Sequence, residues 1–180
     1  MDMFVYLNPG HDLFRDPGAV NDHLRLTEAQ LARELAWLVS GRLHEHQIRN
    51  YVDQNDDLFG VICNANRWQA DLFVSIHFNA FNGHATGTET YVSYTPHSVM
   101  AGHAIQQNIC AVLELPDRGI KENMNLLAIN STSMPAVLVE VCFIDNDDDI
   151  RRYEARKGQT ADAIATGIIQ YMGQLEGKAA

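Results

Sequence analysis

The sequence is poor in cysteine, and its cysteines form no paired pattern. Cys63, Cys110 and Cys142 are an odd number of thiols, and none belongs to a CxxC motif. The sequence therefore offers no disulfide framework on which to build the fold. Each cysteine falls within an apolar pattern, so we expect all three to be small residues of the core.

Positive charge and long apolar runs are scarce too. The chain has 13 Lys and Arg residues against 23 Asp and Glu residues, a formal net charge of −10 at pH 7. Nucleic acids are held by clusters of Lys and Arg, so we expect no nucleic acid partner. No apolar stretch approaches the roughly 18 residues that a membrane span needs, so we expect no membrane span.

The N-terminus lacks the basic segment with which a secretion signal begins. Residues 1–4 contain no Lys or Arg, and the apolar run that follows is broken at residues 8–10 by Asn-Pro-Gly. We interpret this segment as a first strand rather than a signal peptide, so the route of export stays open.

Size and pattern indicate one α/β domain. The 180 residues are 46% hydrophobic and contain no repeats, low-complexity segments or interdomain linker. Segments typical of strands alternate with segments typical of helices, which predicts a mostly parallel twisted sheet with helices on both faces. We expect a catalytic domain over residues 1–173, a disordered tail over 174–180, and a monomer.

The apolar periodicity gives approximate bounds for these segments. It predicts strands at 4–7, 47–52, 72–76, 88–93 and 136–141, and helices at 28–43, from Asp56, at 98–113 and at 158–172. The strand at 88–93 alternates with period two, so we expect it to be half exposed, with Glu89 on the solvated face. The acidic run at 145–149 is interpreted as a solvated helix start.

Three apolar runs end in side chains that can carry chemistry. His11 follows the first strand, His77 follows the run 72–76, and Glu140 follows the run 136–139. The ends of neighbouring strands line the crevice of an open α/β sheet. Two histidines and a carboxylate at one such edge are the groups that a zinc hydrolase needs.

Taken singly, each of these residues has an ordinary explanation. His11 lies in a Gly- and Pro-rich segment and can be a loop histidine. Glu28 opens a helix, where a carboxylate interacts favourably with the helix dipole. Glu140 follows four apolar residues, so it needs a partner, which could be an arginine in a buried salt bridge.

Six short stretches, spread over nearly the whole chain, occur in the same order as in a known protein family and strengthen the interpretation as a zinc hydrolase. The sequence resembles the zinc-dependent N-acetylmuramoyl-L-alanine amidases of the amidase-3 type, which include cell-separation amidases and phage endolysins. The stretches that carry this resemblance are residues 9–11 with 16–19, 27–28, 71–80, 87–91, 118–121, and 134–140 with 143–146.

The resemblance implies a site as well as a fold. It implies that His11, Glu28 and His77 bind Zn²⁺ and that Glu140 is the catalytic carboxylate. A zinc ion with three protein ligands keeps a fourth position open for water. Glu34, the alternative carboxylate, lies six residues beyond Glu28 and faces another side of the helix.

The resemblance also implies a substrate, peptidoglycan, cleaved between N-acetylmuramic acid and L-alanine. We expect action on the cell wall, in the periplasm or outside the cell. Arg118 is a candidate for meeting a carboxylate of the peptide stem, and Asn130 for hydrogen bonding at the cleft rim. Asn79, beside His77, is a third candidate for substrate binding. Two alternatives remain: an inactive module that binds peptidoglycan, and a zinc peptidase that cuts within the stem.

Overall fold

The computed structural model describes residues 3–123 and 125–178, which contain eight strands and five helices. The strands are β1 (Phe4–Pro9), β2 (Val20–Asn21), β3 (Leu26–Thr27), β4 (Arg49–Val52), β5 (Leu72–Asn79), β6 (Thr88–Val92), β7 (Asp117–Glu122) and β8 (Ala136–Phe143). The helices are α1 (Glu28–Glu45), α2 (Leu58–Arg67), α3 (Pro96–Leu113), α4 (Leu127–Asn130) and α5 (Asp147–Lys178).

Six strands form one sheet in the order β4-β1-β5-β8-β6-β7. The first four are parallel to one another, β6 runs antiparallel to β8, and β7 runs parallel to β6. The predicted mostly parallel sheet is thus confirmed. The two-residue strands β2 and β3 pair separately, just before α1.

Helices cover both faces of the sheet, as the sequence predicts. Helices α1, α3 and α5 pack on one face around residues such as Val74 and Ile76, and α2 and α4 pack on the other around Tyr6 and Phe73. Side-chain caps start the longer helices: Thr27 caps α1, Asp57 caps α2 and Thr95 caps α3. Within the described residues no helix is both long and apolar enough to cross a membrane.

Two strand and helix predictions need correction. Strand β6 is not half exposed, because it lies between β8 and β7 and is covered by α3, where Thr90 bonds Gln106 at 2.7 Å. Helix α5 begins at Asp147, within the acidic run predicted as a helix start, passes a kink at Arg156 just before the helix predicted at 158–172, and includes residues 174–178 of the predicted tail. Residues 179 and 180 lie outside the described part of the chain.

The cysteine prediction is correct for one residue and wrong for another. Cys142 is buried in β8, and Cys110 is partly buried on α3. Cys63 is exposed on α2, because it lies on the side of that helix away from the residues it buries, Val61, Ile62 and Ala65. Cys63 was predicted to be a core residue because its neighbours in the sequence are apolar.

The direction of the strands decides which residues meet at one edge of the sheet. The carboxyl ends of β1, β5 and β8 lie at that edge. Because β6 and β7 run the other way, their amino ends come to the same edge. Residues from the beginning of β6 and β7 therefore join those from the ends of β1, β5 and β8.

Candidate active site

His11 lies two residues beyond β1, in a left-handed backbone conformation with φ of 63°. Its Nδ1 is 2.8 Å from Oδ2 of Asp16, and its Nε2 is 3.1 Å from Oε2 of Glu28. A carboxylate on the far nitrogen of a histidine fixes the orientation of the ring. Asp16 therefore holds the His11 ring so that Nε2 points towards Glu28.

His77 lies inside β5, which continues past it to Asn79. Its Nδ1 is 2.8 Å from Oε1 of Glu28. The ring packs directly against Gly10, where an added Cβ would lie 2.3 Å from Cε1 of His77. Only glycine fits at position 10 without moving the histidine.

Glu28, the first residue of α1, is 4% exposed and connects the two histidines. Its Oε2 also accepts a hydrogen bond from the backbone N–H of Ala19 at 3.0 Å, and its Oε1 accepts one from Phe78 at 3.2 Å. Burial by itself would raise the pKa of Glu28, but the hydrogen bonds from both histidines hold this pKa well below its usual range. The carboxylate is therefore ionised and fixed.

The three side chains form a cluster that can hold a metal ion. One ligand atom from each of His11, Glu28 and His77 lies within 4.8 Å of the others. The hydrogen bond to Glu28 raises the pKa of His11 to about 9. The negative charge of Glu28 that favours the protonated ring would equally favour a bound cation. Two imidazoles and one carboxylate are the donors of a catalytic zinc site, so the residues present fit that ion.

Glu140 lies beside this cluster because β8 pairs with β5 in register, with Glu140 opposite His77. The residue keeps some exposed surface, but its Oε2 is buried and accepts no hydrogen bond from any described residue. Burial raises the pKa of Glu140 to about 7. An unpaired buried carboxylate with a pKa near neutrality is typical of a general base.

The alternative explanations for these residues can now be compared with their surroundings. No described arginine forms an ion pair with Glu140, so the buried salt bridge is not its role. Glu34 bonds Lys157 at 2.8 Å and its side chain is 56% exposed, so it takes no part in the cluster. His11 is a loop residue, as its sequence suggests, but its ring faces Glu28.

The prediction for Glu89 was wrong, and it concerns a part of the site that the sequence did not reveal. Glu89 is 2% exposed. Its Oε2 accepts bonds from Nε of Arg118 at 2.5 Å and from Nζ of Lys121 at 2.6 Å. Its Oε1 accepts bonds from Asn79 at 3.0 Å and from the Tyr91 hydroxyl at 2.9 Å.

The electrostatics of this second group follow from burial and ion pairing. Burial would raise the pKa of Glu89, but the Lys121 and Arg118 cations lower it below its usual range. Burial and the neighbouring Glu89 carboxylate raise the pKa of Tyr91 to about 12. The one signal for this group in the sequence was the pair of cations in the stretch 118–121. The sequence did not identify Glu89 as the partner of these cations.

The structure brings two of the three predicted substrate-binding residues near Glu140. Asn79 and Arg118 both contact Glu89, which is opposite Glu140 in the sheet. Asn130 lies elsewhere: it borders a separate cavity with Ser93 and Met134. Its amide is engaged by the carbonyls of Asn123 and Leu126, at 2.7 and 2.9 Å.

A cleft of about 330 Å³ opens beside the two histidines. Asp16 and Asp56 line one part of it, and Leu126 and Leu127 line another. Leu127 is 63% exposed. The cleft therefore offers polar and apolar walls to a substrate that reaches the metal cluster.

The fold and the site together define an enzyme of the hydrolase class, with a buried carboxylate beside a candidate metal cluster. Comparison with known proteins identifies the family. Residues 5–170 match the amidase-3 family, described as N-acetylmuramoyl-L-alanine amidase. The chain belongs to this family of peptidoglycan amidases.

Individual relatives agree with the family match. The chain is 35% identical over 179 residues to the uncharacterized protein YqiI of Bacillus subtilis, covering 94% of this chain and 85% of YqiI. It is 32% identical over 177 residues to the N-acetylmuramoyl-L-alanine amidase LytC of the same organism, covering 93% of this chain and 35% of LytC. LytC therefore has sequence beyond the part that matches.

A solved structure shows the same architecture. The catalytic domain of CwlV, an N-acetylmuramoyl-L-alanine amidase from Bacillus (Paenibacillus) polymyxa, superposes with a TM-score of 0.87 at 28% identity. The superposition covers 95% of this chain and 98% of that domain. The six-stranded sheet and its helices are thus those of a known amidase fold.

Proposed function

We propose that the protein is a zinc-dependent hydrolase that cleaves the amide between N-acetylmuramic acid and L-alanine in peptidoglycan. The observation that carries this proposal is the register of β5 and β8, which puts the unpaired Glu140 directly beside the His11–Glu28–His77 cluster. The family supplies the substrate, since its description and several relatives are named for this amidase activity. We expect the protein to act on the cell wall as a monomer.

The geometry supports the following roles for the residues of the site. His11, Glu28 and His77 would hold the ion, and Asp16 and Gly10 fix the two rings. Bound zinc supplies a water of lowered pKa and polarises the substrate carbonyl. Glu140 accepts the proton of the attacking water and then donates it to the leaving amine of L-alanine.

Substrate contacts are assigned from the second group. Asn79 and Arg118 both bond Glu89, which is opposite Glu140 in the sheet, and would contact the muramyl peptide there. Asn130 would contribute indirectly, because its amide bonds the carbonyl of Leu126, which lines the cleft. Arg118 keeps its side chain 37% exposed, which leaves it accessible to a ligand.

The test is an analysis of the products from purified peptidoglycan. Mass spectrometry of a digest should show stem peptides with a free L-alanine amine and intact glycan strands. New reducing sugar ends would show a glycosidase, and shortened stems still attached to muramic acid would show a peptidase. Either result would contradict the proposed bond.

The catalytic role of Glu140 separates an enzyme from an inactive binding module. Glu140→Gln keeps the side-chain shape but cannot accept a proton, so the rate should fall by about 10²–10⁴ while zinc content is kept. Glu34→Gln, on an exposed face of α1, is the matched control and should keep full activity. A fall of less than about tenfold for Glu140→Gln would remove it as the base.

A further inference from the structure

One row of side chains crosses the sheet from the metal cluster to two cations. His77 on β5 is opposite Glu140 on β8, and Glu140 is opposite Glu89 on β6. Residues directly opposite each other in paired strands project from the same face of the sheet. The row continues to β7 through Arg118 and Lys121, which both bond Glu89.

The charges in this row do not balance at Glu89. Two carboxylates directly opposite each other repel, and a buried carboxylate needs a partner. One cation would neutralise Glu89, yet Oε2 of Glu89 receives both Arg118 and Lys121. Arg118 and Lys121 thus bring one positive charge more than Glu89 alone requires, and the other carboxylate of the row, Glu140, lies opposite Glu89.

Both cations remain open to solvent despite their ion pairs. The side chains of Arg118 and Lys121 are each 37% exposed, whereas that of Glu89 is 3% exposed. Arg118 uses Nε for Glu89, and its Nη1 makes only a long contact of 3.4 Å to the carbonyl of Thr86. A guanidinium has five N–H donors, so Arg118 has donors left for a ligand on its exposed side.

We propose that Arg118 and Lys121, anchored by Glu89, form a subsite for a substrate carboxylate: the α-carboxylate of an acidic residue directly after L-alanine, which is free where the peptide stem continues through the side-chain carboxyl of that residue. This inference rests on the proposed function. Guanidinium and ammonium groups form strong charge-assisted hydrogen bonds with carboxylates. The subsite prefers a stem with glutamate at its second position over a stem with the corresponding α-amide.

The spacing agrees with that position in the stem. Glu89 is one strand from Glu140 and two strands from His77, which corresponds to about 5–10 Å across the sheet. Two residues of extended peptide span about 7 Å. A carboxylate one residue beyond the cleaved amide therefore reaches the two cations when the amide lies beside Glu140.

The experiment compares two muramyl tetrapeptides that differ only in the α-carboxylate or α-carboxamide of the second stem residue. The zinc-loaded wild-type protein should show kcat/KM at least about tenfold higher for the carboxylate, as expected for a lost hydrogen bond to a charged group. Equal rates would overturn the subsite but leave the proposed function intact. Cleavage of neither tetrapeptide, with peptidoglycan also uncut, would instead contradict the proposed function.

Variants locate the preference in these residues. Arg118→Gln and Lys121→Gln should each bring the ratio of the two kcat/KM values closer to one. The ratio is insensitive to a partly unfolded sample, because unfolding lowers both rates by the same factor. Arg151→Gln, which alters an exposed arginine on α5, is the matched control and should keep the ratio. If Arg118→Gln does not fold, Lys121→Gln decides, and an unchanged ratio there overturns the subsite.

Discussion

At the scale of single residues, one carboxylate organises the metal cluster. Glu28 is bonded by the rings of His11 and His77 and by two backbone N–H groups, so both of its oxygens have two partners. Such charge-assisted bonds compensate for burying the carboxylate. The three candidate ligands are therefore held in place by protein groups alone.

The raised pKa of Glu140 predicts a pH-dependent stability difference in metal-free protein. Its pKa in the folded state is about 7, above its ordinary value of 4.5. The folded protein thus binds the proton more tightly than the unfolded chain, and Glu140 lowers stability as pH rises from 4.5 to 7. Metal-free Glu140→Gln should be more stable than metal-free wild type by roughly 3 kcal/mol at pH 8.

Urea unfolding at pH 8 and pH 4.5 checks this expectation. The advantage of Glu140→Gln should be almost lost at pH 4.5, since Glu140 is then protonated in the folded state and already half protonated in the unfolded chain. An advantage of equal size at both values of pH would show that it comes from the amide itself and not from the buried charge.

The sequence pointed to the four residues that the structure brings together, His11, Glu28, His77 and Glu140, but not to the group around Glu89. His77 and Glu140 follow apolar runs, and a polar residue there stands out. Glu89 lies in an alternating segment, and alternation alone does not show whether the polar side of a strand faces water. Its burial depends on which strands and helices surround β6, which is a property of the tertiary structure.

At the scale of elements, the first turn of α5 ties two strands together. Asp149 is 1% exposed, and its carboxylate accepts bonds from the Thr86 hydroxyl and from the backbone N–H groups of Gly87 and Phe143. Thr86 and Gly87 precede β6, and Phe143 ends β8. The acidic run is therefore a solvated helix start only in part, because Asp149 is buried.

This contact predicts that two neighbouring aspartates differ greatly in importance. Asp149→Ala leaves three donors without their acceptor and should cost roughly 3 kcal/mol. For a chain of this size, that lowers Tm by roughly 6–12 °C. Asp148→Ala is the control in the same turn, since the Asp148 side chain is 91% exposed, and it should stay within about 0.5 kcal/mol.

Calorimetry of the two variants provides the measurement. If Asp149→Ala has the same Tm as Asp148→Ala and wild type, the contacts of Asp149 do not stabilise the fold. A larger loss for Asp148→Ala would contradict the assignment altogether.

Elements with strong apolar patterns were predicted well, and elements with weak ones were not. Strands β1, β5 and β8 and helices α1 and α3 lie close to their predicted positions. Strand β7 was not predicted, because its sequence is mostly polar and includes Gly119 with φ of 77°. The helix start in the acidic run and the helix at 158–172 were predicted separately, and the segment that joins them through the kink at Arg156 was not, because it lacks the apolar periodicity of a buried helix.

At the scale of the whole molecule, the metal cluster joins parts of the chain that are distant in sequence. His11 follows β1, Glu28 begins α1 and His77 lies in β5. An ion bound by all three should stabilise the native state by mass action. Zinc at 100 times its Kd adds about 2.7 kcal/mol, which corresponds to a rise in Tm of roughly 5–11 °C.

Calorimetry of chelator-treated protein with and without added zinc tests this expectation, together with a measurement of about one zinc per chain. His77→Ala should lose most of the shift. Magnesium is the control ion, because it prefers six oxygen ligands and should give no comparable shift. A wild-type Tm that does not respond to zinc would contradict the metal site.

The position of β8 has a consequence for folding during synthesis of the chain. It is the last strand in the sequence, yet it lies in the middle of the sheet, between β5 and β6. During synthesis, the segment that carries His11, Glu28 and His77 and the segment that carries Glu89 have no shared strand until residues 136–143 leave the ribosome. Until then each segment exposes an unpaired strand edge, which is prone to association with other chains. A chain that ends before residue 136 lacks both Glu140 and the strand that joins the two halves, so we expect such fragments to be inactive.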